Sequence, residues 1–263
     1  MSDPAGLLDA WAARVRANRE QVDRFREQAD GDFYAPMAER FRFDAARADD
    51  PLLPVLESLL LPSDVVLDIG AGGGRYALPL ARGVRRVIAI DPSAAMLGVL
   101  RSGIAEQGAD NVEIVEGRWP IEPLPAGDVA FIANVGHDVE DIGGFLDAME
   151  GSSRRLCIAV MLELPPPFEI DALWPAVHGE PRAALPALPE LLVLLAARGR
   201  RTAVTMVPRD SRPRDRDVLL LRARRMLWVR EGSAKDRLLL AALDRGSGPV
   251  AQPRIGVVSW SPR

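Results

Sequence analysis

The chain has 263 residues, of which 48% are hydrophobic, 27% charged and 5% aromatic, with a formal net charge of −4 and a pI of about 5.4. That balance supports a sizeable core and excludes a disordered chain. It also argues against a globally basic surface made for nucleic acid or an anionic membrane. Cys157 is the single cysteine, which excludes an intrachain disulfide and a cysteine-based metal site. Its apolar surroundings predict a buried, inert thiol. Residues 1–10 lack the basic start and apolar centre of a signal peptide, and no apolar run approaches the ~18 residues of a membrane span. The expectation is a cytoplasmic protein. Lys235 is the only lysine among many arginines, a composition that fits the codon usage of a high-GC bacterial genome.

In chain order, Asp3-Pro4 reads as a helix start, with Asp as N-cap and Pro in the first turn. Leu8, Trp11, Val15, Val22 and Phe25 follow at helical spacing, and the helix is expected to end near Asp30-Gly31. "DFYAP" (Asp32–Pro36) breaks that pattern, and a second helix is expected from Asp50-Pro51 to Leu60. Residues 1–61 thus form a helical cap or lid. From Asp64 the texture alternates. Strands are predicted at Val65–Ile69, Arg86–Ile90, Val112–Glu116, Val129–Ala133 and Leu156–Leu162, with helices at Arg75–Arg82, Ala94–Gln107 and Val139–Met149. This alternation implies an α/β fold with a doubly wound, mostly parallel sheet over residues 62–263. Pro79 removes a backbone bond, so the first of these helices should be short or kinked. A Pro-rich stretch near 164–187 reads as an insertion. Beyond it come a helix at Leu188–Arg198, a strand at Thr202–Val207, helices at Asp217–Arg230 and Ala234–Leu243, and an apolar alternating strand at Ile255–Trp260.

The chemistry concentrates in "VLDIGAGGGRY" (Val66–Tyr76), where Gly70, Gly72 and Gly74 stand between a strand and a helix. Glycine there allows a tight turn and close approach of a ligand to the backbone. Asp68, Asp91 and Glu116 end three successive strands, so three acids line one edge of the sheet, the edge where open α/β sheets bind ligands. Asp91 is placed to accept both hydroxyls of a ribose. A nicotinamide dinucleotide would want G-x-G-x-x-G, but Arg75 takes the place of the third glycine, and Asp68 would bring negative charge towards a phosphate. A ligand with a cationic amino-acid end, a ribose and no phosphate suits these residues better, which points to S-adenosyl-L-methionine.

"VLDIGAGGGRYALPLA", "VIAIDPSAAML" and "VEGRW" resemble the successive motifs of class I S-adenosylmethionine-dependent methyltransferases over roughly Pro62–Pro166. More narrowly, "DFYAP", "GGGRY", "GRWP" and "HGEPR" resemble a subgroup of bacterial methyltransferase-like proteins with no assigned substrate. The resemblance implies a Rossmann-like sheet of seven strands with the last antiparallel. It implies that Asp68, Gly70, Ala71, Gly72 and Gly74 face the methionine part of the cofactor. It places Asp91 and Pro92 at the ribose, Met96 on the adenine, and Glu116, Gly117, Arg118 and Trp119 at the adenine edge. Arg118 stands where an acid is commoner. Asn134 would lie near the transferable methyl. Each of these has a plainer reading, as a turn cap for the acids and as core for Met96.

For the acceptor side, His137 in "ANVGHDVED" lies beyond the fourth strand and could serve as a base, or merely cap the helix that follows. Trp174, His178, Glu180 and Arg182 in the insertion are candidates to line an acceptor pocket, with packed-loop roles as the alternative. Phe33 and Tyr34 could close over the cofactor, with Arg40 or Arg42 near its carboxylate. The spacing of the histidines and Glu163 gives no metal-site pattern. Arg198–Arg230 holds eleven arginines and three aspartates, read as a solvated or acid-paired face, or else as an RNA-binding one. No Asn/Asp-Pro-Pro-Tyr/Phe-type motif follows the fourth strand, which favours a small-molecule acceptor over nucleic acid. The reading is methyl transfer to an oxygen or nitrogen of a small molecule. An RNA methyltransferase and a non-catalytic S-adenosylmethionine-binding sensor or assembly protein are the alternatives, and a homodimer is left open.

Overall fold

The run Val65–Ile69 (β1) is buried along its whole length, as a strand covered on both faces must be. The structure, a computed structural model, describes residues 3–27, 31–42, 50–165, 167–208, 215–245 and 254–262. Around β1 the strands are β2 (Arg86–Asp91), β3 (Val112–Glu116), β4 (Gly127–Ala133), β5 (Ser153–Leu162), β6 (Ala203–Pro208) and β7 (Arg254–Trp260). Among the described residues they form one sheet of order β3-β2-β1-β4-β5-β7-β6. β1 to β5 pair in parallel, and β7 runs antiparallel to both its neighbours. The order reverses between β1 and β4, so the carboxyl ends of β1, β2 and β4 open a crevice at that point.

The helices are α1 (Pro4–Phe25), α2 (Leu53–Leu59), α3 (Ala77–Ala81), α4 (Ala94–Gln107), α5 (Ile142–Ser152), α6 (Phe168–Asp171), α7 (Trp174–His178), α8 (Leu188–Ala197), α9 (Arg216–Met226) and α10 (Ala234–Asp244). A 3₁₀ helix, Ala35–Phe41, follows "DFY". Asp3 caps α1 as expected, accepting from the N–H groups of Ala5 and Gly6 at 3.1 and 3.4 Å. The helix ends at Phe25, short of the expected Asp30, because Arg26 leaves helical backbone geometry and Glu27 N–H is drawn to the carbonyl of Trp228 at 3.0 Å. Residues 28–30 lie outside the described residues. α3 is five residues long, as Pro79 predicted. Ser93 caps α4 by accepting Met96 N–H at 3.1 Å, and Gly108 ends it in the left-handed region at φ 61°. α6 and α7 are helices that the Pro-rich sequence did not announce.

Three apolar clusters follow. One face of the sheet carries α1, α5 and α8 through Trp11, Phe145, Leu146, Leu191 and Leu195. The other carries α2, α3 and α4 through Leu56, Leu78, Leu97 and Leu100. Each fully buried leucine of these layers contributes roughly 1.5–3 kcal/mol of burial. The third cluster joins the end of α1 to α6, α7, α9 and α10 around Trp174 and Leu227. Among the described residues no helix is long and apolar enough to cross a membrane.

Candidate functional site

After β1 the chain turns through Gly70, Gly72 and Gly74 at φ of 77°, 56° and 88°, a region L side chains rarely enter. Space forbids a side chain as well. A Cβ on Gly70 would lie 2.5 Å from Val135 Cγ2, and one on Gly74 2.5 Å from Leu100 Cδ1. The turn is pinned to the end of β2, since Gly70 and Ala71 N–H donate to Ile90 O at 2.7 and 3.1 Å. Asp91 then holds both sides of the crevice. Its Oδ2 accepts Gly72 N–H at 2.9 Å and its Oδ1 accepts Ser93 N–H at 2.8 Å. Met96 lies beneath the loop, 2.9 Å from where a Gly72 Cβ would stand.

Asp68 is 2% exposed, and its Oδ2 has no hydrogen-bond partner. Burial first, and then the negative charge of Asp91, push its carboxyl up to about 7. Burial also raises Asp91 above the ordinary carboxylate range, opposed by the two N–H groups it accepts. Two buried acids side by side, one with an open oxygen, make a place for a cationic, hydrogen-bond-donating group.

The other residues of the sequence-based set fall into three groups. At the edge of the crevice, Pro92, Glu116, Arg118 and Asn134 are exposed, and Gly117 N–H donates to Asp91 O at 3.1 Å. Asn134 has φ 56° and donates its N–H to Val160 O at 2.8 Å. Trp119 is turned inward instead. It is 8% exposed, sits in the core with Phe145, and donates Nε1–H to Phe145 O at 3.3 Å. Tyr34 stands over this edge. It is 42% exposed as a residue, yet the dense protein around it and the carboxylates of Asp138, Asp91 and Asp32 push its phenol up to about 12. Arg42 pairs with Glu106 and Glu39, and the side chain of Arg40 lies outside the described residues.

His137 is 3% exposed, and its Nδ1 lies 2.7 Å from Pro186 O. A carbonyl only accepts, so Nδ1 carries the proton and Nε2 keeps a lone pair, which has no partner here. Burial lowers its pKa below the usual histidine range, so the ring is neutral at neutral pH. Trp174, His178 and Arg182 do come together, but inside the helical layer. Trp174 is fully buried, the His178 ring lies against it with centres 4.3 Å apart at a 45° tilt and bonds Leu227 O at 2.9 Å, and the Arg182 guanidinium lies 4.7 Å over the indole. They do not line an open cleft because α1, α9 and α10 pack over them. Glu180 is taken by Gln21 and Arg24 at 2.7 and 2.8 Å.

Four arginines of the arginine-rich segment pair with acids. Arg200 makes two 2.7 Å bonds to Glu150, Arg224 bonds Asp236 at 2.8 and 2.9 Å, and Arg198 and Arg216 meet Asp147 and Asp244. Arg209, Asp210, Arg212 and Arg214 lie outside the described residues. Among the described residues no group of three or more His, Cys, Asp or Glu is arranged to hold a metal ion. Sequence reasoning missed Asp32 and Ser93, which connect to Asp91, and Arg225, which holds the Asp32–Phe33 backbone from the helical layer. Ser93 carries a readable signal, an N-cap directly after Asp-Pro. Arg225 carries none.

Residues 66–150 match the family model described as "Methyltransferase domain". Among curated proteins, a probable cobalt-precorrin-6B C(15)-methyltransferase (decarboxylating) of Methanothermobacter thermautotrophicus is 31% identical over 105 residues, 38% of this chain and 55% of the relative. A ribosomal RNA small subunit methyltransferase G of Neisseria meningitidis serogroup C is 30% identical over 112 residues, 38% of this chain and 52% of the relative. The chain thus spans about half the length of the curated relatives it matches. In fold, it is similar to a SAM-dependent methyltransferase from Thiobacillus denitrificans, solved in complex with S-adenosyl-L-homocysteine. The TM-score is 0.59 at 18% identity, covering 90% of this chain and 100% of that one. Residues 66–150 thus carry a methyltransferase domain, and the fold around them is the one seen in S-adenosyl-L-methionine-dependent methyltransferases.

Proposed function

We propose that the protein transfers a methyl group from S-adenosyl-L-methionine to an oxygen or nitrogen of a small molecule in the bacterial cytoplasm. The observation that carries the cofactor side is the unpartnered, buried oxygen of Asp68 behind the glycine loop. An ammonium group is the complement such an oxygen calls for. Asp68 with Gly70, Ala71, Gly72 and Gly74 holds the amino-acid end. Asp91 keeps lone pairs for ribose hydroxyls. Pro92, Met96, Glu116, Gly117 and Arg118 flank the adenine, with Trp119 supporting that edge from the core. Asn134 faces the reacting end, and Tyr34 covers it.

When bound, the cofactor supplies an electrophilic methyl group on a sulfonium. The chain's own part is to hold the acceptor in line and keep water out, and, where the acceptor carries a proton, to remove it. His137 is suited to take that proton, because Nδ1–H is anchored on Pro186 O and the lone pair is on Nε2.

The test is calorimetric titration with S-adenosylmethionine, S-adenosylhomocysteine and NADH, followed by an acceptor screen with His137→Asn alongside. Binding of the first two and not NADH is expected, and NADH binding alone would overturn the assignment. A second reading, methylation of RNA, is favoured by the similarity to the ribosomal RNA methyltransferase. It is opposed by the acid pairing of Arg198, Arg200, Arg216 and Arg224. Steeply salt-dependent RNA binding would restore it.

A further inference from the structure

Arg225 on α9 belongs to the helical layer, yet it grips the segment just before the 3₁₀ helix. Its Nε and Nη2 donate to Phe33 O at 2.9 and 2.5 Å, and Nη2 reaches Asp32 O at 3.4 Å. The guanidinium also lies 4.3 Å over the Phe33 ring, and that ring meets Trp228 at 5.1 Å. These contacts fix the backbone of Asp32 and Phe33. The Asp32 side chain then reaches the opposite way. Its Oδ2 accepts the Ser93 hydroxyl proton at 2.6 Å, and its Oδ1 accepts Tyr34 N–H at 2.9 Å. The Ser93 hydrogen bond, with those from the N–H groups of Tyr34, Ala35 and Ala95, holds the Asp32 carboxyl below the usual range.

Ser93 has one hydroxyl proton. Spending it on Asp32 leaves the oxygen lone pairs to cap Met96 N–H, which sets the rotamer. The N–H of Ser93 rests on Asp91 Oδ1, and the other oxygen of Asp91 holds Gly72 N–H. One unbroken run of polar contacts therefore leads from Arg225 through Asp32 and Ser93 to Asp91 and the glycine loop. At its far end the 3₁₀ helix lies on the same loop, with Phe41 O 2.7 Å from where a Gly73 Cβ would stand.

We infer that Asp32 and Arg225 are positioning residues for the cofactor: a buckle that ties the helical layer to the Asp91 turn and closes residues 35–41 over the glycine loop. This rests on the cofactor reading above. Neither residue touches the cofactor; both act through Ser93 and Asp91. Two consequences separate this from a merely structural role. The residues act along one path, so their effects on binding are not additive. Loosening the buckle also speeds amide exchange at Gly72 without ligand.

The experiment titrates the full chain with S-adenosylhomocysteine as wild type, Asp32→Asn, Arg225→Lys, the double variant and Asp91→Ala. Melting temperature and amide exchange are measured on each. Asp32 is exposed, so Asp32→Asn is expected to melt within a few degrees of wild type. Each single variant is expected to weaken binding about tenfold, the worth of one hydrogen bond to a charged group. The double variant should be no weaker than about twofold beyond the singles, and Gly72 exchange should accelerate in all three. Wild-type binding with Asp32→Asn and Arg225→Lys unchanged, or with strictly additive losses, overturns the buckle and leaves the cofactor reading intact. No binding by wild type overturns both.

Discussion

Two buried carboxylates on opposite sides of the sheet's centre are treated in opposite ways. Glu150, on α5 and 7% exposed, is saturated. Arg200 holds both its oxygens at 2.7 Å, Trp260 Nε1–H adds a bond at 3.1 Å, and Arg198 stands at 3.8 Å. Asp68, at the end of β1 and 2% exposed, has one oxygen with no partner and a like charge beside it. A saturated buried charge fastens elements together. An unsaturated one weakens the empty fold and is retained where a ligand completes it. The contrast marks the β5–β7–α8 end of the molecule as fastening and the β1–β2 edge as the working end.

The largest effect should come from breaking the fastening. Glu150→Ala leaves the Arg200 guanidinium without its carboxylate, while Arg198 keeps Asp147, and urea unfolding should report a loss of about 3–5 kcal/mol. The same operation on the other acid should invert the outcome. Asp68→Asn should unfold no more easily than wild type at pH 8, while S-adenosylhomocysteine affinity falls at least about tenfold. Equal destabilisation by the two changes would erase the contrast.

pH sharpens it further. The folded chain holds a proton on Asp68 between its ordinary value of 3.8 and about 7, where the unfolded chain has released it. This group's contribution to stability therefore falls as pH rises through that window. Affinity for a ligand bearing an ammonium group moves the other way, rising with pH and levelling above about 7. Titrations from pH 5 to 8 should show that rise in wild type, and a flat profile in Asp68→Asn would assign it to this carboxyl. The smallest effect belongs to an ion pair outside both regions. Arg216→Ala, which frees Asp244 from a pair more than half exposed on each side, should change unfolding by less than about 1 kcal/mol.

The working end was legible because its information is local. β1, β3 and α4 fall at Val65–Ile69, Val112–Glu116 and Ala94–Gln107, the spans their apolar runs and caps define. The glycines sit where positive φ and missing space require them. The helical layer was not legible because its contacts are distant. Trp174 reads as an exposed pocket residue beside prolines and a histidine, but it is fully buried by helices more than forty residues away in sequence, Leu227 among them. Trp119, read as part of the cofactor edge, is drawn inward by the Phe145 carbonyl. Arg225 and Phe33 are 192 positions apart, and neither periodicity nor motif spacing connects them.

The position of β7 has a consequence for biosynthesis. It is the last strand in chain order, but it is threaded between β5 and β6, with Ile255 registered against Leu162 on one side and Val207 on the other. On a growing polypeptide β6 emerges with no strand to join, and β5 presents an open edge until Arg254–Trp260 has left the ribosome. β1 to β5 and the glycine loop are thus synthesised before β7, the strand that covers the β5 edge. Cys157 pairs directly with Trp260 and is sealed in the finished fold. Protection of the chain's single thiol from alkylating agents is therefore expected to be complete only once β7 has docked, which alkylation of chains released before and after Arg254–Trp260 would check.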